Sequence, residues 1–341
     1  MTISSMTLEE LENFILSQNE KKFRAKQIFD WIHNKQVRNF SEMSNLSAHF
    51  REFLEREHSI EQVEIEKKYE SSLNDVCKYL LRLPKETIIE SVLMKYSFGY
   101  SICVSSQAGC AMGCAFCVSG KDGFFRDLSA YEILAQVYRV SEDIVGERIS
   151  NIVIMGSGEP LHNFDNVVRF IEIVSHEQGL NIGKRHITLS TCGIVPQIYK
   201  LADLKLGINL ALSLHASNDE VRRKLMPVAL SYSMDETLAA CEYYAKATGR
   251  RVTYEYALVK NVNDSIEYAK ELGQKLKGSL AHVNLIPVNA GAKDGLKSPD
   301  KKSIQNFNDI LSQKGISSSI RRELGSDIAA ACGQLKSEYK R

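Results

Sequence analysis

From about residue 100 onward, short apolar segments rich in β-branched residues alternate with amphipathic segments. The apolar segments, each typical of a buried strand, read YSICVSS, ISNIVIMG, RHITLST, GINLALSLH, RVTYEYALV and HVNLIPV. Strands that alternate with helices pair in parallel, because a parallel connection needs a crossover of about a dozen residues or more. Six such units predict an α/β fold, a partial (β/α)6 barrel that stays open where an eight-stranded barrel would close.

The residues that precede the barrel have a different pattern. LEELENFILSQ, RAKQIFDWIHNK and SAHFREFLERE place apolar residues at the three- and four-residue spacing of helices. VCKYLLRL and TIIESVLMKY then read as two strands joined by a turn that contains Pro84. We therefore expect a helical accessory domain over residues 1–75, a short β extension over 76–98, the barrel over 99–291 and a carboxyl-terminal segment over 292–341.

The composition is that of an ordinary globular protein. The 341 residues are 25% charged and 44% hydrophobic, with a formal net charge of +1. No apolar run approaches the roughly 18 residues that span a bilayer, and the amino terminus does not read as a secretory signal. We expect a cytoplasmic protein without membrane association, in which eight cysteines serve metal binding or catalysis and not a disulfide framework.

Three cysteines form a compact motif, CAMGCAFC, in which Cys110, Cys114 and Cys117 are spaced as C-x3-C-x2-C. A structural zinc site usually has four ligands, and no second cysteine pair of suitable spacing is present. An iron–sulfur cluster held by three thiolates instead leaves one iron open to a substrate or cofactor. The spacing favours such a cluster, with Phe116 as a shield, over a zinc site or merely buried thiols.

Longer motifs extend over nearly the whole chain. They are FRAKQIFDWIH, CVSSQAGC, GSGEPL, ITLSTCGIVP, LSLHAS, VNLIPVN and DIAAACGQL. In combination they resemble the RlmN/Cfr family of radical S-adenosylmethionine (SAM) enzymes, which methylate adenosine in RNA. The resemblance implies a four-iron, four-sulfur (4Fe–4S) cluster on the three cysteines and two SAM molecules per turnover, one of which binds the open iron.

The resemblance also implies the roles of individual residues. SAM-binding positions carried over by motif are Gly158, Glu159, Ser190, Ser213, Leu214, His215 and Asn284. Cys332 is implied to become an S-methylcysteine whose methyl group is transferred, and Cys103 to release the product through a transient disulfide with Cys332. Glu90 matches a carboxylate that accepts a proton, and the residues leave open whether Cys103 or Glu90 is the ultimate base. Cys77, Cys192 and Cys241 are interpreted as packing residues.

The implied substrate is an adenine in RNA, methylated at C2. The targets are an adenine of 23S ribosomal RNA at the peptidyl-transferase centre and the adenine 3′ of certain tRNA anticodons, with flavodoxin or ferredoxin as electron donor and a monomeric enzyme. Residues 291–341 hold ten Lys and Arg against six Asp and Glu, whereas residues 1–75 hold ten against fourteen. A local basic stripe suffices for phosphate contacts, so this pattern fits RNA only in part.

Other functions stay open at this point. They are C8 methylation of the same ribosomal adenine with antibiotic resistance, a non-catalytic zinc or iron–sulfur RNA-binding protein, and a radical enzyme that acts on a small molecule. The chain also departs from the family pattern, since Ser157 replaces the methionine of GMGEP and Ala329 replaces an acidic residue before Cys332. Both departures border the implied cofactor or methylcysteine, so they put the efficiency or the target in question.

Overall fold

The computed structural model describes the chain except at positions 1, 74, 122, 145, 289–294, 323, 332, 336–337 and 340–341. Within that part of the chain, every helix is too short or too polar to cross a bilayer.

Three helices lead the chain, as the periodicity predicts. They are α1 (Leu8–Ser17), α2 (Phe23–His33) and α3 (Ala48–Glu57). Thr7 and Glu10 form a capping box that satisfies amide groups at the start of α1. The apolar faces of the helices belong to the same hydrophobic core as the barrel. The division of the chain at residue 75 stays a prediction.

One large sheet organises the rest of the molecule, and a two-stranded hairpin accompanies it. The strands are β1 (Glu64–Glu70), β2 (Val76–Leu83), β3 (Thr87–Tyr96), β4 (Gly99–Cys103), β5 (Gln107–Gly109), β6 (Phe124–Asp127), β7 (Ile149–Ile154), β8 (Ile187–Thr191), β9 (Asn209–Ser213), β10 (Val252–Leu258), β11 (Ala281–Pro287), β12 (Ser317–Ile320) and β13 (Glu338–Tyr339). The large sheet has the order β1-β2-β3-β4-β7-β8-β9-β10-β11-β12, and β13 pairs with β3. The strands from β1 to β4 pair antiparallel, whereas β4 and β7 to β12 pair in parallel.

The six predicted barrel strands are therefore confirmed, and β12 extends the parallel part of the sheet. Helices cover the sheet as expected for crossover connections. They are α4 (Ala130–Ser141), α5 (Phe164–Ser175), α6 (Val195–Asp203), α7 (Asp219–Leu225), α8 (Met234–Thr248), α9 (Ile266–Lys275) and α10 (Lys301–Gln313). The capping box that Ser129 and Glu132 predict for α4 is present.

A further short strand, β5, separates the first barrel strand, β4, from the cysteine motif. After β4 the chain forms β5, which pairs antiparallel with β6, so that the motif lies in the loop of a small hairpin. Gly109 closes this hairpin in a left-handed conformation, with φ of +74°, and a Cβ there would collide with the carbonyl of Gly123. The hairpin holds the cysteine loop over the carboxyl ends of the parallel strands, where α/β folds place their sites.

Candidate functional site

The cysteine loop is attached to three parts of the molecule. Within its own hairpin, Cys110 donates its amide N–H to the carbonyl of Gly123 at 2.9 Å. Ala115 donates to the carbonyl of Leu225, at the end of α7, also at 2.9 Å. Val118 donates to the carbonyl of Gly333 at 2.8 Å. These bonds anchor the loop to the barrel and to the carboxyl-terminal segment.

A cavity of about 160 Å³ opens beneath the loop, and we call it the cysteine cavity. Its lining includes most of the predicted site residues, namely Cys110, Cys114, Cys117, Gly158, Glu159, Ser190, Ser213 and His215. The structure thus brings the three cysteines and the ends of several barrel strands to one place. Leu214 is fully buried and lies outside this lining, as does Asn284.

The donor set of the cysteine cavity fits an iron–sulfur group. Burial raises the pKa of the Cys110 thiol to about 11, and burial together with the neighbouring cysteines raises the pKa of Cys114 further. Such thiols stay protonated at neutral pH unless a metal replaces the proton. Three thiols that line one cavity are a donor set that suits an iron–sulfur cluster, in which each cysteine binds a different iron.

The carboxylate of Glu159 is fixed from two sides. Its Oε2 accepts from the amide of Cys192 at 2.7 Å, and its Oε1 accepts from the amide of Leu161 at 3.0 Å. The preceding Gly158 has φ of +107°, and a Cβ there would lie 2.5 Å from the Cβ of Gln107. Only glycine therefore permits this turn. Each carboxylate oxygen keeps a second lone pair that can accept from a cationic ligand.

His215 lies at the end of β9 with φ of +55°, in the left-handed region. Its Nδ1 accepts from the amide of Ala257 at 2.8 Å, which leaves the ring proton on Nε2. Burial lowers the pKa of His215 to about 3, so the ring is neutral at physiological pH. The ring of Phe116, from the cysteine loop, packs edge-on against it with centroids 4.4 Å apart. Phe116 therefore seals the loop against the barrel rim.

Asn284 contributes through a residue that the sequence analysis missed. Its Nδ2 donates to Oε2 of Glu255 at 2.8 Å, across the paired strands β10 and β11. Glu255 lines the cysteine cavity, and burial raises the pKa of its carboxyl group. Arg321 lines the cavity as well, with Nη1 4.0 Å from Oε2 of Glu255. The signal for Glu255 in the sequence is a single acidic residue inside the apolar strand RVTYEYALV.

A second cavity, of about 260 Å³, adjoins the first, and we call it the thiol cavity. Cys103 lines it together with Ala330 and Ala331. Both cavities are lined by Met155, Ile286, Pro287, Val288 and Arg321. Cys332 itself lies outside the described residues. Its neighbour Ala331 lines the thiol cavity, and its other neighbour, Gly333, lines the cysteine cavity.

Glu90 lies close to the thiol cavity on β3. Val92 lies two residues further along the same strand and therefore shares a face of the sheet with Glu90. Val92 is paired with Cys103 on the neighbouring strand β4. Lys78 on β2 places its Nζ 3.1 Å from Oε1 of Glu90 and 3.3 Å from the carbonyl of Ala329. Both charged side chains are buried, so the pair connects the carboxylate to the carboxyl-terminal segment without solvent between them.

The two departures from the family pattern lie in different local environments. Ser157 is fully buried, and its amide donates to Oγ of Ser105 at 2.9 Å. Ala329 has φ of +50°, a conformation that an aspartate tolerates better than an alanine does.

Cys192, interpreted as a packing residue, is buried but also lines the cysteine cavity. Its Sγ lies 3.2 Å from Sδ of Met112, and burial raises the pKa of its thiol. Cys241 is fully buried in α8, as expected for a packing residue.

Two family models match the chain. The Radical SAM superfamily matches residues 104–272, and the ribosomal RNA large subunit methyltransferase N-terminal domain matches residues 1–60. A probable dual-specificity RNA methyltransferase RlmN from Alkaliphilus oremlandii is 54% identical over 98% of this chain and 97% of its own length. The protein of the same name from Clostridioides difficile is 50% identical over 100% of this chain and 98% of its own. The crystal structure of a radical SAM methyltransferase from Sphaerobacter thermophilus superposes with a TM-score of 0.91, at 39% identity over 98% of this chain and 99% of that one.

Proposed function

Because the chain belongs to the RlmN family of RNA methyltransferases, within the radical SAM superfamily, we propose that it methylates C2 of adenine in RNA. The proposed targets are an adenine of 23S ribosomal RNA at the peptidyl-transferase centre and the adenine 3′ of tRNA anticodons. Relatives named dual-specificity RNA methyltransferases support two RNA classes. The motifs GEPL and NLIPVN favour C2 over C8.

The enzyme uses a 4Fe–4S cluster and two molecules of SAM per turnover. When bound, these groups supply a methyl group and a one-electron cleavage that activates it for transfer to an aromatic carbon. An adenine C2 carbon is electron-poor and is not a nucleophile, so polar methyl transfer to it fails. The protein must therefore hold the cofactor, a methyl-carrying thiol and the base in one sheltered space.

The observation that carries the proposal is the shared wall of the two cavities. The three cysteines line one cavity, Cys103 lines the other, and Met155 and Arg321 line both. A cofactor held by the three cysteines and a thiol beside Cys103 would thus lie in adjoining cavities that share a wall. A non-catalytic RNA-binding protein needs no such arrangement.

In this proposal Cys110, Cys114 and Cys117 bind the cluster. Glu159 accepts hydrogen bonds from the ammonium group of SAM, since its two oxygens are already oriented by backbone amides. Gly158, Ser190, Ser213, Leu214 and His215 form the rest of the SAM site through side chains or backbone groups. Asn284 would act by orienting Glu255.

Cys332 carries the methyl group, and Cys103 resolves the protein–RNA adduct by forming a transient disulfide with it. Glu90 accepts the proton that leaves the ring. Its support is its position, since Glu90 lies on the sheet face that carries Val92, which is paired with Cys103. Oε1 of Glu90 is 3.1 Å from Nζ of the buried Lys78.

The reaction also needs an electron donor, and we propose a small protein such as flavodoxin or ferredoxin. We propose that the enzyme works in the cytoplasm as a monomer.

The test is anaerobic incubation of the iron- and sulfide-reconstituted protein with SAM, a reductant and RNA fragments, followed by mass spectrometry of the digested nucleosides. The expected product is 2-methyladenosine in both RNA classes. Cys103→Ala should accumulate RNA linked to the protein, whereas Cys241→Ala, which changes a buried cysteine of α8, should turn over normally. Formation of 8-methyladenosine, or of no methylated base, would contradict the proposal.

A further inference from the structure

We propose that the tip of the β3–β4 hairpin is a stacking platform for the RNA strand next to the target adenine. The platform consists of Tyr96 and Phe98, with Arg322 beside it. The inference rests on the proposed function, and it adds the surface by which the RNA strand reaches the thiol cavity.

One face of β3 runs from the thiol cavity to the outside. Val92, Met94 and Tyr96 are every second residue of the strand, so their side chains point to the same side. Val92 and Met94 line the thiol cavity, and Tyr96 lines the groove that follows it. The hydroxyl of Tyr96 lies 3.6 Å from Sδ of Met94, so the two side chains are in contact. The floor is continuous from Cys103 to the hairpin tip, over roughly 20 Å.

The groove and the thiol cavity also share their opposite wall. Arg321, Arg322 and Leu324 line both. A strand that lies in the groove would therefore enter the thiol cavity without crossing a separate barrier.

The aromatic pair at the tip is arranged as a stacking surface. The rings of Tyr96 and Phe98 are nearly parallel, with an interplanar angle of 7° and centroids 4.9 Å apart. Phe98 is 63% exposed, so the outer face of the stack is open to solvent. Single-stranded nucleic acids bind to such faces because every base offers a π surface. Turning the target adenine out of its stack also leaves a neighbouring base in need of a new stacking partner.

The charges around the groove favour a phosphate backbone over an acidic protein surface or a neutral ligand. Among the described residues, the lining of the groove has three basic side chains, Lys95, Arg321 and Arg322, and one acidic side chain, Asp75. Nζ of Lys95 is 3.3 Å from Glu147, and Nη1 of Arg321 is 4.0 Å from Glu255. These carboxylates partly neutralise the two positive charges. Arg322 is exposed at the rim and can reach a phosphate.

The test measures RNA binding and methyl transfer separately. Phe98→Ala should raise the Kd for an RNA fragment about tenfold and raise KM in the same ratio, with kcat little changed. Phe98→Trp should restore binding, because a larger π face replaces the first. In Phe98→Ala, methylation of Cys332 by SAM in the absence of RNA, measured by mass spectrometry, should match that of the unmodified enzyme.

A second exposed aromatic pair provides the matched control. Tyr199 and Tyr243 contact each other on α6 and α8, with centroids 5.1 Å apart and both rings partly exposed. Tyr243→Ala should leave the RNA Kd unchanged, which separates a specific platform from a general loss of surface aromatic groups.

Two results would overturn the inference. One is an unchanged RNA Kd in Phe98→Ala. The other is a Phe98→Ala protein whose cluster is reduced slowly by flavodoxin but at the normal rate by dithionite. That result would assign the surface to a protein partner. Failure of the proposed function looks different, since the unmodified enzyme would then bind RNA without methylating adenine.

Discussion

Val118, in the cysteine loop, donates its amide N–H to the carbonyl of Gly333, 2.8 Å away and one residue beyond Cys332. Ser119 adds a second bond, from its hydroxyl to the carbonyl of Leu335 at 2.5 Å. The loop that holds Cys110, Cys114 and Cys117 and the segment that holds Cys332 are therefore one hydrogen-bonded unit. Changes on one side of this unit are expected to affect the other.

The first prediction concerns Gly333, which has φ of +77° and lies where a Cβ would be 3.3 Å from the carbonyl of Phe116. Gly333→Ala should displace the segment from the cysteine loop and lower the rate of Cys332 methylation at least tenfold. Gly278→Ala is the matched control, because Gly278 has φ of +80° and nothing within 4 Å of the added methyl group. The rates are measured by mass spectrometry of the peptide that contains Cys332. Equal effects of the two changes would show that only backbone strain matters.

The second prediction separates the three proposed cluster ligands from Cys192, which also lines the cysteine cavity. A complete cluster gives about four iron atoms per chain, and Cys114→Ala should lower the iron content of the reconstituted protein well below that value. Cys192→Ala should retain the full iron content, although Cys192 lines the same cavity. Iron and sulfide assays on anaerobically reconstituted protein provide the measurement. Loss of iron in Cys192→Ala would assign a ligand role to that thiol.

The third prediction concerns the buried pair of Lys78 and Glu90, whose side chains are only 10% and 9% exposed. Lys78→Met removes the ammonium group that lies 3.1 Å from this buried carboxylate and should reduce the free energy of unfolding by about 3 kcal/mol. Glu90→Gln should reduce the free energy of unfolding less in the Lys78→Met protein than in the unmodified protein. The reason is that both substitutions remove the same interaction. Lys78→Arg should retain most of the activity.

Urea unfolding gives the stabilities for this cycle, and the yield of adduct-free methylated RNA gives the activities. Strictly additive effects on both quantities would show that Lys78 does not act through Glu90.

The fourth prediction is a pH dependence of stability that arises from His33. This side chain is fully buried, its Nδ1 lies 2.9 Å from the hydroxyl of Tyr138, and burial lowers its pKa to about 3. Between an ordinary pKa of about 6.5 and that value, the unfolded chain binds a proton that the folded chain does not. The contribution of His33 is therefore complete above pH 6.5 and decreases by about 1.4 kcal/mol per pH unit as the pH falls.

His33→Gln should weaken the loss of stability between pH 7 and pH 5, measured by urea unfolding at both values. His176, the nearby group that also lowers the pKa of His33, remains in the variant. An unchanged slope would mean that His33 is protonated in the folded protein.

The sequence predicted the six barrel strands and the strands β2 and β3, each of which contains buried apolar residues. β2 and β3 begin and end at the residues of VCKYLLRL and TIIESVLMKY, because their apolar residues pack in the interior. β1 and β12 were not predicted. Both lie at edges of the sheet and are mostly exposed, so neither carries an apolar period that a sequence pattern can reveal.

The site also contains residues that the sequence predicted and residues that it did not. The cysteines and the residues at strand ends were found because each motif is local. Glu255 and Lys78 were missed because their importance depends on strand register and on long-range contacts. Lys78 meets the carbonyl of Ala329 across 251 residues of sequence, and no local pattern contains that contact.

The order of the parts along the chain has a consequence for how the enzyme is made. β12 ends at Ile320, so each parallel strand described in the sheet is synthesised before Cys332 leaves the ribosome. Cys332 is thus translated after these strands, and it arrives at a barrel whose strands already exist. A premature stop after Arg322 would yield a chain with Cys110, Cys114, Cys117 and each described parallel strand but without Cys332.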